Sequence, residues 1–294
     1  MKVVVTIPAY NEEKTIGKVI LGIRKVMDSA NYKYRIMVVD DGSRDDTSNV
    51  SKKAGAVVYS HQTNHGLAET FKTEIGKALL FNPDVIVHID ADGQYRAEEI
   101  PNLIKEVENG YDLVLGSRFK GKIESMPLIK RMGNKAFSKV ISNVTGFKIS
   151  DAQTGFRAFN RKVAEKVKVI STHTYTQEQI IRAIRSKFRI KEVPIYFGRR
   201  LSGKSRLMKN PIDYAIKAWI NILRINRDYE PLKFFGMIGS FFLFVGLMIG
   251  AWFTYLHFTT GIEGHLGMLM LMLLSIISGI QIIIFGFLAD MNKL

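Results

Sequence analysis

The 294-residue chain has no cysteine, which excludes disulfides, zinc–thiolate sites and thiol catalysis. Charge is missing from the C-terminal region. Residues 234–256, FFGMIGSFFLFVGLMIGAWFTYL, contain no Lys, Arg, Asp or Glu, and neither do residues 264–289. Each run exceeds the roughly 20 apolar residues needed to cross a bilayer, so two membrane spans are predicted. The loop between them, His257 to Glu263, lacks Lys and Arg, whereas the segment before the first span is rich in both. The positive-inside rule then places residues 1–233 and the C-terminus in the cytoplasm. The opening MKVVVTI has too short an apolar core for a cleavable signal. A G-x-G-x-x-G fingerprint is also missing after the first apolar run, IPAYNEEKTIG, which removes a Rossmann oxidoreductase reading.

The charge that is present is unevenly spread. Residues 1–117 carry 14 basic against 17 acidic side chains, and residues 118–233 carry 27 against 8. A basic segment beside two spans, with no nucleic-acid motif, points to anionic membrane lipid and not to nucleic acid. Within it, residues 126–147 interleave apolar residues with Lys130, Arg131, Lys135 and Lys139, and residues 211–230 do the same with Lys217, Arg224 and Arg227. Both read as amphipathic helices of the membrane interface. The predicted organisation is a catalytic domain over 1–210, an interface helix over 211–230 and a membrane domain over 231–294.

The first 117 residues alternate β-branched runs (2–7, 34–40, 56–60, 84–90, 111–117) with segments of helical period (12–27, 66–81, 97–109). This predicts an α/β domain, a mostly parallel sheet with helices on both faces, whose ligands bind at the carboxyl ends of the strands. Polar clusters fall at those ends: Pro8-Ala9-Tyr10-Asn11-Glu12, Asp40-Asp41-Gly42-Ser43, Asp90-Ala91-Asp92-Gly93-Gln94 and Gly116-Ser117-Arg118. Any one of these is an ordinary turn or helix cap; four at one sheet edge make a site. Asp90 and Asp92 offer hard oxygen ligands for Mg²⁺ or Mn²⁺, Gln94 adds a carbonyl, and substrate phosphates complete such ions. Asp40 or Asp41 suits a ribose hydroxyl or a base N–H. A competing motif, GRRLSGKS at 198–205, matches the phosphate-loop pattern, but Pro211 intrudes where its helix should run.

Taken in order, PAYNE, VVDDGS, DADGQ and GSRF closely resemble family 2 glycosyltransferases. With DAQTGFR (151–157), YTQEQII (175–181), RLSGKSR (200–206) and two following spans, the chain looks like the polyprenyl-phosphate hexosyltransferases, the dolichyl-phosphate mannose synthase group. That resemblance implies a GT-A type nucleotide-diphospho-sugar transferase domain, with a GDP- or UDP-hexose as donor and a polyprenyl (dolichyl) phosphate as acceptor. It also implies inversion at the anomeric carbon. Carried over by position, Pro8, Tyr10, Glu12, Val39 and Asp41 hold the base and ribose. Asp90, Ala91 and Asp92 border the diphosphate, and Asp90, Asp92 and Gln94 hold the metal. Arg200 and Arg206 belong to a lid over the diphosphate; Arg206 stands where the family has Lys, a planar fork in place of a point charge.

The acceptor is a phosphate already largely ionised near neutrality, with a second pKa around 6, so a strong base is not required. Glu178 is the candidate for a base or an aligning group. Arg118 and Arg131 are the candidates for gripping the acceptor phosphate, because a guanidinium fork suits it. Asp151 and Arg157 are expected to pair beneath the sugar. His88 is expected in the core, His61 and His65 in a loop without a ligand partner, and His173 near Glu178. The alternatives are a membrane-anchored binding module without turnover, or transfer to another lipid or glycan.

Overall fold

The computed structural model describes residues 1–170, 175–200, 220, 223–224, 226–259, 261 and 265–292. The chain divides into two units, Met1–Pro211 and Ile212–Leu294.

In the first unit seven strands form one sheet. They are β1 (Lys2–Ala9), β2 (Lys33–Asp40), β3 (Val57–Ser60), β4 (Val85–His88), β5 (Leu113–Ile123), β6 (Arg157–Asn160) and β7 (Ile190–Phe197), in the order β3-β2-β1-β4-β6-β5-β7. All pairings are parallel except those of β6, which runs antiparallel to β4 and β5. Near-continuous Val and Ile runs suit strands covered on both faces. Val3, Val5 and Ile7 of β1 enter a core with Ile16, Ile20, Ile23 and Met27 of α1 (Ile16–Ser29) and with Ile100, Leu103, Ile104 and Val107 of α4 (Ile100–Glu108). The opposite face packs on α3 (Leu67–Leu79). Between these lie α2 (Thr47–Lys53) and, further along, α5 (Leu128–Thr145), α6 (Arg161–Lys166) and α7 (Thr176–Arg185).

The GT-A-like architecture agrees with the pattern of apolar runs. Two local features differ from expectation. The helix expected over 12–27 begins at Ile16, because Asn11 takes φ 52° and the amides of Thr15 and Ile16 turn back onto the Glu12 carbonyl. The antiparallel β6 was not anticipated: Arg157-Ala-Phe-Asn160 is too short to show a period.

In the second unit two helices, Pro231–Thr259 and Leu266–Met291, are each long and apolar enough to cross a membrane. At 29 and 26 residues they exceed the length needed for a hydrocarbon core about 30 Å thick. They meet through small residues, Gly239, Gly246, Ser275, Gly279 and Gly286 being buried. A Cβ on Gly239 would lie 2.7 Å from the Gly279 carbonyl oxygen, a spacing that only backbone-to-backbone approach explains.

Candidate active site

The parallel register brings the ends of β1, β2, β3 and β4 to one edge. Ala9 lies opposite Asp40, Asp40 opposite Ser60, and Thr6 opposite His88. Pro8 and Val39 are buried there, with Tyr10 and Glu12 half-buried at the rim. Both aspartates after β2 are buried and held by the protein itself. Asp40 accepts from the Ser43 amide at 3.1 Å. Asp41 accepts from the amides of His65 and Gly66, each at 2.9 Å, and meets His61 Nδ1 at 2.8 Å. His61 therefore has partners after all, Asp41 and Thr73. Gly42 sits at φ 72°, and a Cβ there would lie 2.6 Å from the Thr63 carbonyl carbon, so this loop closes tightly over the end of β2.

Two residues beyond β4, Asp90 and Asp92 face a crowded space. Asp92 is buried, and burial together with the nearby Asp90 carboxylate pushes it up to about 6, against the pull of Arg200. Asp90 is about a third exposed at its side chain. A Cβ at Gly155 would lie 2.7 Å from both Asp90 carboxylate oxygens, so only glycine lets the QTG turn approach that carboxylate. Arg200 Nη2 lies 2.7 Å from Asp92 Oδ2 and Nη1 lies 3.9 Å from Glu12 Oε1. Gln94 links this turn to the end of β7: its amide nitrogen donates to the Gly198 carbonyl at 3.0 Å and its backbone accepts from the Gly198 amide.

Does this donor set fit a divalent ion? Burial first, and the neighbouring Asp90 carboxylate second, raise Asp92, the condition that a cation relieves. Among the described residues no cluster of three or more His, Asp or Glu is arranged for a metal. Asp90 and Asp92 are hard donors that fit an ion whose remaining positions come from substrate oxygens, while the Gln94 side-chain amide, expected as a third ligand, bonds the Gly198 carbonyl.

The basic side of the edge is arranged differently from the expectation. Arg118 is buried and its guanidinium is already engaged, Nε to Asp151 Oδ2 at 2.7 Å and Nη2 to Asp151 Oδ1 at 2.8 Å. Asp151 therefore pairs with Arg118 and not with Arg157. Arg157 instead binds Gln179 Oε1 at 2.9 Å, the Thr176 carbonyl at 3.2 Å and the Thr154 carbonyl. Glu178, in the first turn of α7, accepts from the Ile170 amide at 3.0 Å and from Arg182 Nε at 2.7 Å.

Arg131 is exposed on α5, whereas Lys130 is half-buried. Burial, Arg118 and Arg200 lower the Lys130 ammonium from the ordinary lysine value, while Asp92 and Asp90 pull the other way. Lys130 is therefore a cation close to Arg118, Arg200, Asp90 and Asp92. Its signal was in the sequence. With Pro127 preceding the helix, 130, 134, 137 and 141 form one stripe, and Asn134, Phe137 and Ile141 are buried. Beside it Leu128, Ile129 and Met132 leave apolar surface exposed.

Arg206, residues 201–205 of the phosphate-loop pattern, His173 and most of the amphipathic stretch 211–230 lie outside the described residues.

Comparison with known proteins identifies the family. A family model described as glycosyl transferase family 2 matches residues 4–168. A dolichyl-phosphate hexose transferase of Haloferax volcanii is 32% identical over 206 residues, 69% of this chain and 85% of that one. A dolichol-phosphate mannosyltransferase of Pyrococcus furiosus is 28% identical over 288 residues, 95% of this chain and 78% of that one. Among solved structures, glucosyl-3-phosphoglycerate synthase of Mycobacterium tuberculosis with Mn²⁺, uridine diphosphate and phosphoglyceric acid aligns at TM-score 0.59 and 19% identity, covering 75% of this chain and 78% of that one. That likeness concerns the fold. The chain is a glycosyltransferase and belongs to glycosyl transferase family 2, within its polyprenyl-phosphate glycosyltransferase group.

Proposed function

We propose that the protein transfers a hexose, mannose or glucose, from a GDP- or UDP-linked donor to a polyprenyl (dolichyl) phosphate, inverting the anomeric centre. The observation that carries this reading is the pairing at one sheet edge of two crowded carboxylates, Asp90 and Asp92, with the cations Arg200 and Lys130. The carboxylates suit a Mg²⁺ or Mn²⁺ ion, which when bound would neutralise charge on the departing nucleoside diphosphate. Pro8, Tyr10, Glu12, Val39 and Asp41 line the nucleoside side, and Ala91 borders the diphosphate with Asp90 and Asp92. Because Asp41 is held by the loop at His65 and Gly66, it shapes the pocket wall as much as it offers a free acceptor.

In this reading Arg200 leaves Asp92 for the donor diphosphate when the donor arrives. Lys130 receives the acceptor phosphate, and the exposed Leu128, Ile129 and Met132 carry the start of its apolar tail. Arg118, locked by Asp151, holds the strand end behind the phosphate. Glu178 aligns the reactants and is not required as a strong base. The acceptor oxygen attacks the anomeric carbon opposite the departing diphosphate, through a transition state of oxocarbenium character. Residues 1–233 and the C-terminus lie on the cytoplasmic side, and the two long helices anchor the chain in the membrane.

The test is turnover by the full chain in detergent, with dolichyl phosphate and Mn²⁺ or Mg²⁺, across GDP-mannose, UDP-glucose and UDP-N-acetylglucosamine. The expected product is a lipid-linked hexose whose anomeric configuration, read by NMR, is opposite to the donor's. Retention of configuration, or no lipid product with any donor, contradicts the reading.

A further inference from the structure

On the α3 face of the sheet, beneath Asp90, lies a chain of buried polar groups that the transfer chemistry described above does not use. Glu74 on α3 and His88 on β4 have no exposed side-chain surface, and His88 Nδ1 lies 2.8 Å from Glu74 Oε2. The other ring nitrogen, Nε2, lies 2.7 Å from the Tyr175 hydroxyl and 3.9 Å from Asp90 Oδ1. With Nδ1–H donating to Glu74, Nε2 accepts from the Tyr175 O–H, the arrangement that gives both ring nitrogens and the Tyr175 hydroxyl a partner. The Tyr175 ring stacks on Phe71 at 4.0 Å between centroids, and the Arg157 guanidinium lies over it at 5.0 Å.

Tyr175 immediately precedes α7, and its carbonyl accepts from the Gln179 amide at 2.9 Å, so it fixes the first turn of that helix. A second route reaches the same turn. The Gly155 backbone lies against the Asp90 carboxylate, and the neighbouring Thr154 carbonyl is bound by Arg157, which also binds Thr176 and Gln179. Asp90 and α7 are thus connected twice, once along the chain from His88, two residues before Asp90, whose Nε2 holds the Tyr175 hydroxyl, and once through Gly155–Arg157.

An apolar core would fill this space more cheaply. Glu74 Oε1 is buried with no hydrogen-bond partner among the described residues, and an unpaired buried carboxylate oxygen is destabilising. What the polar chain supplies and apolar packing does not is direction, because each hydrogen bond fixes a rotamer of the next group. In sequence His88 looks like ordinary core.

We propose that the Glu74–His88–Tyr175 chain is a positioning device for sugar transfer, holding the end of β4 that leads into Asp90 and the first turn of α7, with Glu178, at a fixed spacing. The inference rests on the transferase reading above. On that reading the donor diphosphate sits at Asp90 and the reactants are aligned from α7. Loosening the chain then spoils the approach of the acceptor to the anomeric carbon without removing any group that touches a substrate. A misaligned donor is left open to water, so the loss appears partly as hydrolysis.

Tyr175→Phe keeps the ring on Phe71 and removes only the hydroxyl. The assay uses the full chain in detergent with Mn²⁺, dolichyl phosphate and whichever of GDP-mannose, UDP-glucose or UDP-N-acetylglucosamine supports wild-type turnover. Lipid-linked sugar and free sugar are measured separately. Since small misplacements cost on the order of ten- to a hundred-fold in rate, kcat should fall by about ten-fold with donor KM nearly unchanged, and the share of free sugar should rise. That share does not depend on how much enzyme is folded, so a purely structural role would not move it. Glu74→Gln retains an acceptor for Nδ1–H and should keep the wild-type partition, whereas Glu74→Leu should not. An unchanged kcat and partition in Tyr175→Phe, or equal partitions in the two Glu74 variants, would overturn the proposal. A wild type that makes no lipid product would instead overturn the transferase reading on which it rests.

Discussion

The two halves of the site solve opposite electrostatic problems. On the ends of β1, β2 and β4, carboxylates are crowded and buried until one of them, Asp92, is pushed up to about 6. Across the edge, on β5 and α5, cations are crowded until burial, Arg118 and Arg200 lower Lys130. Neither half is relaxed alone. Each is short of the charge that its proposed ligand brings, a metal-bound diphosphate on one side and a lipid phosphate on the other. Arg200 touches the acidic half and stands where the two meet.

Substitutions should separate the halves, and the largest effect belongs to the acidic one. Asp92→Asn should lower transfer by on the order of a thousand-fold, since a metal-borne charge is worth several kcal/mol in such transition states. The melting temperature should hardly change; equal losses of folding and activity would return Asp92 to a structural role. Lys130→Ala should reduce acceptor kcat/KM by roughly 10- to 150-fold, the value of a charge-assisted contact of about 1.5–3 kcal/mol. Arg131→Ala should have a smaller effect that disappears in detergent, because its exposed side chain suits anionic head groups. The reverse ranking would mean that the exposed arginine and not the half-buried lysine grips the acceptor.

Two smaller effects sharpen the division. Gly155→Ala places a methyl group against the Asp90 carboxylate and should weaken donor binding by about ten-fold while leaving acceptor KM alone. Binding of the acceptor needs the charged ammonium of Lys130, whose pKa is lowered. Acceptor kcat/KM should therefore fall, as pH rises, below the ordinary lysine range near 10.4. Lys130→Arg should move that alkaline limb upward; a limb that stays put would belong to another group.

How much of this was legible beforehand follows from how each feature is encoded. The parallel strands and the polar clusters at their ends are local patterns, and VVVTIPA and VIVHID show them without help. Asp90, Asp92 and Gln94 sit on one turn, so their spacing alone suggested shared work. What the sequence hid were pairings across long separations. Arg118 and Asp151 are 33 residues apart, and both the expected Asp151–Arg157 pair and a free Arg118 were reasonable until the antiparallel β6 placed Arg157 among Thr154, Thr176 and Gln179. Lys130 is hidden for a different reason: a guanidinium suits a phosphate better than an ammonium does, and only the buried stripe through Asn134, Phe137 and Ile141, one turn further on, marks its side of the helix.

Calorimetric titration of the donor, with Mn²⁺, into wild type, Asp92→Asn and Lys130→Ala tests the division of the site most directly. The account predicts no measurable donor binding to Asp92→Asn and a donor Kd for Lys130→Ala close to that of wild type. Comparable losses of donor affinity in the two variants would contradict it.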